Sequence, residues 1–199
     1  KSGLVQSVDV LSEIVSDPFI LGEIATVHAF SDIYASLSNP MYSLAIINLP
    51  EAELSIQKNQ LTHILAGSLM AHSLAGARLI GGHTSEGGGM SVGFAVTGSG
   101  LKKPLFKTQQ GANDELLLIL TKPLGTGVIM AAHMQMQADA LWVDAAVESM
   151  RRSNKIAAQV FLEHNVIAAT DVTGFGLARH AQNLASRQGK PGCIIDLSA

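Results

Sequence analysis

The sequence predicts an α+β fold: a mixed or antiparallel sheet with helices packed on one face, followed by part of a second α/β sandwich domain. Three observations predict it. Short Val- and Ile-rich stretches with period-two alternation, such as Ser91 to Thr97, read as half-buried strands. Longer stretches with apolar residues at helical spacing, such as Ser55 to Ala75, lie between them. An unperiodic stretch rich in glycine, lysine and glutamine, Gly98 to Asn113, separates two such sets. The expected division is therefore a first domain over 1–99, a connection over 100–113 and an incomplete second domain over 114–199.

In chain order, Leu4 to Val10 is Val-rich and alternates loosely, which predicts a strand ending near Asp9. Ser16 and Asp17 are capping candidates ahead of Pro18, and Ile20 to Ala35 carries apolar residues at helical spacing. Asp32 then falls near the C-terminal end of that helix, where the macrodipole disfavours an anion, so it calls for a cation nearby. Tyr42 to Leu49 predicts a second strand, stopped by Pro50, and Ser55 to Ala75 a long helix closed by Gly76. Arg78 to Ile80 reads as a short strand, Gly81 to Gly89 as a glycine-rich loop and Ser91 to Thr97 as the strand that completes the unit.

Beyond the connection, Glu115 to Thr121 is nearly all apolar and predicts a strand buried on both faces. Lys122 to Gly127 turns into a short helix through Ala132, and Trp142 to Glu163 reads as one long helix. Val166 to Ala169, Gly176 to Ser186 and Cys193 to Leu197 predict strand, helix and strand. Two long apolar helices with few strands to cover them suggest that the second unit continues in the full protein.

Composition narrows the function classes. The 199 residues are 47% hydrophobic, enough for a real core. A net charge of -3 supplies no basic field for nucleic acid or an anionic membrane, and no apolar stretch is long enough to span a bilayer. A cytoplasmic location is expected. The single cysteine, Cys193, can form neither an internal disulfide nor a cysteine metal cluster and reads as an inert strand residue.

Three acids, Asp9, Asp32 and Asp171, stand at the ends of apolar elements. Mg²⁺ favours oxygen ligands and commonly joins one or two carboxylates to phosphate, so convergence of these acids would suit it, although each taken alone is better explained as a cap or surface acid. Asp171 closes the apolar approach Ile167 to Thr170 and leads into Val172-Thr173-Gly174-Phe175-Gly176, a glycine turn that could open a helix towards phosphate. Gly82, His83 and Thr84 offer backbone and side-chain donors to an anion, or form a plain hairpin connection. The Thr121 to Gly127 turn is open to the same two readings. The sequence holds no G-x-x-x-x-G-K-[ST] loop and no H-E-x-x-H. His63 and His72, on the long helix, are expected to pack rather than ligate.

Taken together, Ser7-Val8-Asp9, Asp17-Pro18-Phe19, Ala29 to Ala35, Gly81-Gly82-His83-Thr84, Ala95 to Gly98, Leu120 to Gly127 and Thr170 to Leu177 resemble the selenophosphate synthetase (selenide, water dikinase) family of the aminoimidazole ribonucleotide synthetase-like superfamily. The resemblance runs over essentially the whole chain. It implies ATP-dependent conversion of selenide and water to selenophosphate, AMP and phosphate, with ATP and selenide as partners, Mg²⁺ as cofactor, and a homodimer whose N-terminal sheets form a barrel. It places Asp9, Asp32 and Asp171 at metal positions, and Asp9, Asp32, Gly82, His83 and Thr84 at ATP positions. The family's catalytic Cys or selenocysteine and Lys lie ahead of the first strand of this chain. The chain is accordingly expected to be a fragment without catalytic residues of its own and inactive alone, and Cys193 does not take that role. Two departures concern the nucleotide end: Ser36-Leu37-Ser38-Asn39-Pro40 replaces a Met-Gly-rich turn, and His28 stands where Asn is common. The rival readings are another small-metabolite phosphotransferase or synthetase of the superfamily, which a different N-terminal segment would mark, and a non-catalytic dimerisation module.

Overall fold

The structure is a computed structural model that describes residues 3–100, 117–166 and 168–186. The first half of the chain folds as β1 (Gly3–Ser12), α1 (Pro18–Ala35), β2 (Ser38–Pro50), α2 (Leu54–Ala75), β3 (Arg78–Gly87) and β4 (Ser91–Gly100). The four strands form one sheet in the order β1-β4-β2-β3. β4 pairs antiparallel with both β1 and β2, whereas β2 and β3 are parallel and joined by α2. Three strands thus run one way and β4 runs against them, a mixed sheet as the sequence predicts.

Each helix begins and ends for a local reason. Asp17 caps α1 by accepting from the Phe19 and Ile20 amides at 2.8 and 3.2 Å, with Pro18 at the first helical position. α2 ends on Gly76 in the left-handed conformation (φ 78°). α1 ends differently: Leu37 adopts φ 51°, a conformation costly for a side-chain-bearing residue.

α1 is buried nearly all round, from Leu21 to Ala35, because the sheet and α2 both cover it. Gly22 and Gly67 permit its close approach to α2. A Cβ at Gly22 would stand 2.1 Å from the Ile64 carbonyl oxygen, and one at Gly67 only 1.9 Å from that of Phe19. Thr26 donates to Ser68 at 3.0 Å in the same contact. The core below is built from Leu21, Phe30, Ile33, Ile47, Ile64, Val92, Phe94 and Val96. His72 lies inside it, 2% exposed, with Phe30 and Phe94 edge-on. Its Nδ1 donates to the Ser68 carbonyl at 2.7 Å, and its Nε2 accepts from Ser43 at 2.6 Å, so the buried imidazole is satisfied as the neutral tautomer. This is the packing role expected for His72.

Four local expectations are corrected. Gly81 to Gly87 belongs to β3 and is no loop: the residues pair with β2 past an irregularity at Ser43/Leu44. Gly82 serves that pairing, since a Cβ there would stand 2.3 Å from the Ala45 oxygen. β2 begins at Ser38, four residues before Tyr42, with Pro40 seated at a register shift against β4. Trp142 to Glu163 is two helices, α4 (Ala140–Arg151) and α5 (Lys155–Glu163), broken where Ser153 Oγ accepts from the Lys155 amide at 3.2 Å. Finally, residues 117–121 and the described part of 166–169 form no strand; Leu117 is 90% exposed, and no described strand lies beside it to complete a ladder. The predicted strand Cys193 to Leu197, with Cys193 itself, lies outside the described residues, as does most of the predicted connection.

The remaining elements are α3 (Thr126–Met134) and α6 (Gly176–Ser186). Lys122, in the turn that was open to a phosphate reading, donates to the Ser149 carbonyl at 3.2 Å and to the Arg152 carbonyl, and so closes the end of α4. No helix among the described residues is long and apolar enough to cross a membrane.

Candidate functional site

Two periodicities build the site. β1 has period two, so Ser7 and Asp9 point to the same face of the sheet, the one that α1 covers. α1 has period 3.6, so His28 and Asp32 lie one turn apart on one side. Where strand and helix meet, the four side chains face one another in two rows.

Ser7 Oγ donates to Asp32 Oδ2 at 2.5 Å, and His28 Nε2 lies 3.9 Å from Asp9 Oδ1. Asp9 Oδ2 is buried with no hydrogen-bond donor facing it. The group closest to answering it is the Asp32 carboxylate, with which it can share a proton but which repels it once both are ionised. Burial first, then the charge and hydrogen bond of Asp32, and last the charge of Asp171 push the Asp9 carboxyl up to about 7. Burial lowers His28, with Asp32 opposing, so the imidazole supplies little positive charge at neutral pH. A half-buried carboxylate pair with an oxygen lacking a donor accommodates a cation in place of the shared proton.

The structure therefore brings Asp9 and Asp32 together and sets Asp171 close enough for its charge to be felt. It does not gather all three as a tight cage: among the described residues no group of three His, Cys, Asp or Glu side chains could hold one ion. The donor set fits a hard divalent cation that takes two carboxylates and completes its shell with water or phosphate. Asp171 stands just before the turn at Gly174 and Phe175 that opens α6, where His180 Nε2 lies 3.3 Å from both the amide and the hydroxyl of Thr173.

Gly82, His83 and Thr84 lie elsewhere. They are exposed on β3, one edge of the sheet, whereas Asp9 is on β1, the other edge. Three strand spacings of about 4.8 Å put the two edges roughly 14 Å apart. Sequence reasoning missed Ser7 and Gly93 as parts of the site. Ser7 was legible as the residue two before Asp9 on the same strand face. Gly93 was not: a Cβ there would stand 2.2 Å from the Asp9 carbonyl oxygen, a closeness set by the pairing of β4 with β1.

Comparison with known proteins agrees with this architecture. Residues 1–100 match the family model for the N-terminal domain of AIR synthase related proteins, and residues 113–199 match that for the C-terminal domain. The chain belongs to the AIR synthase related protein family. It is 40% identical over 184 residues to a protein of Desulfitobacterium hafniense named selenide, water dikinase, an alignment covering 92% of this chain and 53% of that protein. The chain thus spans about half the length of that relative. Among solved structures, the thiamine monophosphate kinase of Aquifex aeolicus superposes with a TM-score of 0.74 at 19% identity, over 94% of this chain and 63% of that one. Hydrogenase maturation protein HypE in complex with ATP gives 0.71 at 18% identity, over 94% and 56%. At those identities the likeness is one of fold, and it extends across both parts of this family member.

Proposed function

We propose that this chain is part of a selenide, water dikinase, in which ATP, selenide and water yield selenophosphate, AMP and phosphate. The observation that carries the proposal is the Asp9–Asp32 carboxylate pair, with its buried oxygen lacking a donor, in a chain 40% identical to a protein of that name. Phosphoryl transfer needs alignment and charge neutralisation more than covalent chemistry from the protein. Asp9 and Asp32 would hold Mg²⁺, with Asp171 adding negative potential; the ion when bound supplies positive charge to the triphosphate oxygens. Ser7 keeps the Asp32 carboxylate turned towards Asp9. The selenide-handling step is assigned to no residue of this chain. We place the reaction in the cytoplasm.

A homodimer belongs to the same proposal. The sheet face away from α1 and α2 exposes Leu4, Val8, Val10, Tyr42, Leu44, Ile46 and Ile80. Joining two such faces would bury them as a barrel, and the distance between β3 and Asp9 in one chain leaves Gly82, His83 and Thr84 to approach nucleotide bound by a second copy.

The test is binding of ATP with Mn²⁺ as a spectroscopic substitute for Mg²⁺, followed by AMP formation in the whole protein with and without selenide. Loss of cation-dependent ATP binding in Asp9→Asn and Asp32→Asn, with AMP release dependent on selenide, supports the proposal. Unchanged binding in both variants would remove its basis, and AMP release indifferent to selenide would point to another phosphotransferase of the family.

A further inference from the structure

The break between α4 and α5 is short, and three side chains around it reach back to the first domain. Arg151 Nε donates to Glu23 Oε2 on α1 at 2.6 Å. The Glu23 side chain is 7% exposed, so its charge is kept from water and needs this partner. Arg151 Nη1 also holds Glu148 at 2.6 Å, which fixes the guanidinium from its own helix. Asn154 Nδ2 donates to Ser31 Oγ at 2.9 Å, one residue before Asp32. Lys155 Nζ donates to the Leu74 and Ala75 carbonyls at 3.1 and 3.3 Å, at the C-terminal end of α2, where a cation is favoured.

These contacts engage α1 along one flank and α2 at its end, and they constrain the angle at which α5 leaves the break. The chain then runs from α5 to Asp171, whose charge is felt at Asp9. Two of the acids at the candidate site sit on β1 and α1, but the third depends on where the second domain is set.

We propose that Arg151 and Lys155 are positioning residues: by fastening the α4–α5 break to α1 and α2, they set Asp171 against the Asp9–Asp32 pair. The inference rests on the cation-binding reading above. Their side chains bond to Glu23, Glu148 and the carbonyls at the end of α2, so their effect on the site passes through Asp171.

The experiment measures Mn²⁺ affinity of the whole protein by electron paramagnetic resonance for the wild type, Arg151→Met, Lys155→Met, the conservative Arg151→Lys, Asp171→Asn and the double variant Arg151→Met/Asp171→Asn. Circular dichroism confirms that each is folded; Lys155→Met, which removes only backbone contacts at a helix end, keeps the test available if Arg151→Met is not. The expected result is a loss of about 10-fold in affinity for Arg151→Met, Lys155→Met and Asp171→Asn, near-wild-type binding for Arg151→Lys, and no further loss in the double variant. An additive loss in the double variant, or unchanged affinity in both methionine variants, overturns the inference. A second readout needs no metal: spin labels at Lys58→Cys on α2 and Asn183→Cys on α6, with Cys193→Ser, report the inter-domain distance. A distribution broadened or shifted by Arg151→Met and Lys155→Met supports the inference, and an unchanged one overturns it. Absence of Mn²⁺ binding by the wild type would instead defeat the cation-binding reading, and the distance measurement would then decide whether the contacts set the second domain.

Discussion

Ser7 of β1 and Asp32 of α1, 25 residues apart, are joined by a 2.5 Å hydrogen bond in which the hydroxyl donates to a carboxylate oxygen. A bond of this kind to an ionised acceptor contributes roughly 1.5–3 kcal/mol and fixes the acceptor's orientation. Ser7→Ala should therefore lower stability by about 1–2 kcal/mol and weaken cation binding several-fold. Ser7→Thr, which keeps the hydroxyl, should bind as the wild type does. Isothermal titration with Mn²⁺ and thermal unfolding check both.

Asp9 makes the metal-free protein sensitive to pH. Its carboxyl is raised to about 7, so in the unfolded chain it loses its proton near pH 4 while the folded protein still holds it. Its contribution to stability is full below that lower value and is lost progressively as the pH rises to about 7. Asp9→Asn should abolish this decline, so that without metal the variant gains on the wild type between pH 4 and 7 and stays more stable above that range. Melting curves across pH test this, and a parallel decline in both proteins would refute it.

Proton and cation compete for the same carboxylate oxygens. Mn²⁺ affinity should rise with pH up to about 7 and level off beyond it, since above that value Asp9 needs no proton removed. Affinity constant from pH 5.5 to 8 would show that the cation does not bind there.

The crossing of α1 and α2 leaves no room for side chains at its closest points. Gly22→Ala and Gly67→Ala each place a methyl group against backbone of the other helix, so they should destabilise by roughly 2–3 kcal/mol or more. Gly88→Ala, at an open position, should have little effect by comparison. Denaturant melts of the three variants make the comparison.

Burial lowers His72, the opposing effect of its bond to Ser68 notwithstanding. Its contribution to stability is present above the ordinary histidine range and is lost as the pH falls towards the lowered value. His72→Ala also empties a core position and removes the partner of Ser43, which should cost about 3 kcal/mol. Nuclear magnetic resonance titration of the imidazole checks the first point and unfolding the second.

The sequence by itself determined the mixed α+β order of the first domain, the cap at Asp17, the stop at Gly76 and the two acids on β1 and α1. These features are local: a capping side chain, a left-handed glycine and a repeat of two or 3.6 residues act over a few positions and leave their mark in the order of residues. Only the tertiary structure decided that Gly81 to Gly87 is an edge strand, since its pattern is that of a loop and its pairing depends on β2. It also decided that Gly22 and Gly67 are contact points and that Asp9 meets Asp32. The break at Arg151 to Lys155 was hidden in an apolar helical pattern because the groups that hold it, Glu23, Ser31 and the end of α2, lie about 80 to 130 residues away. Contacts between segments far apart in the chain arise from the packing of finished elements, and no local repeat encodes them.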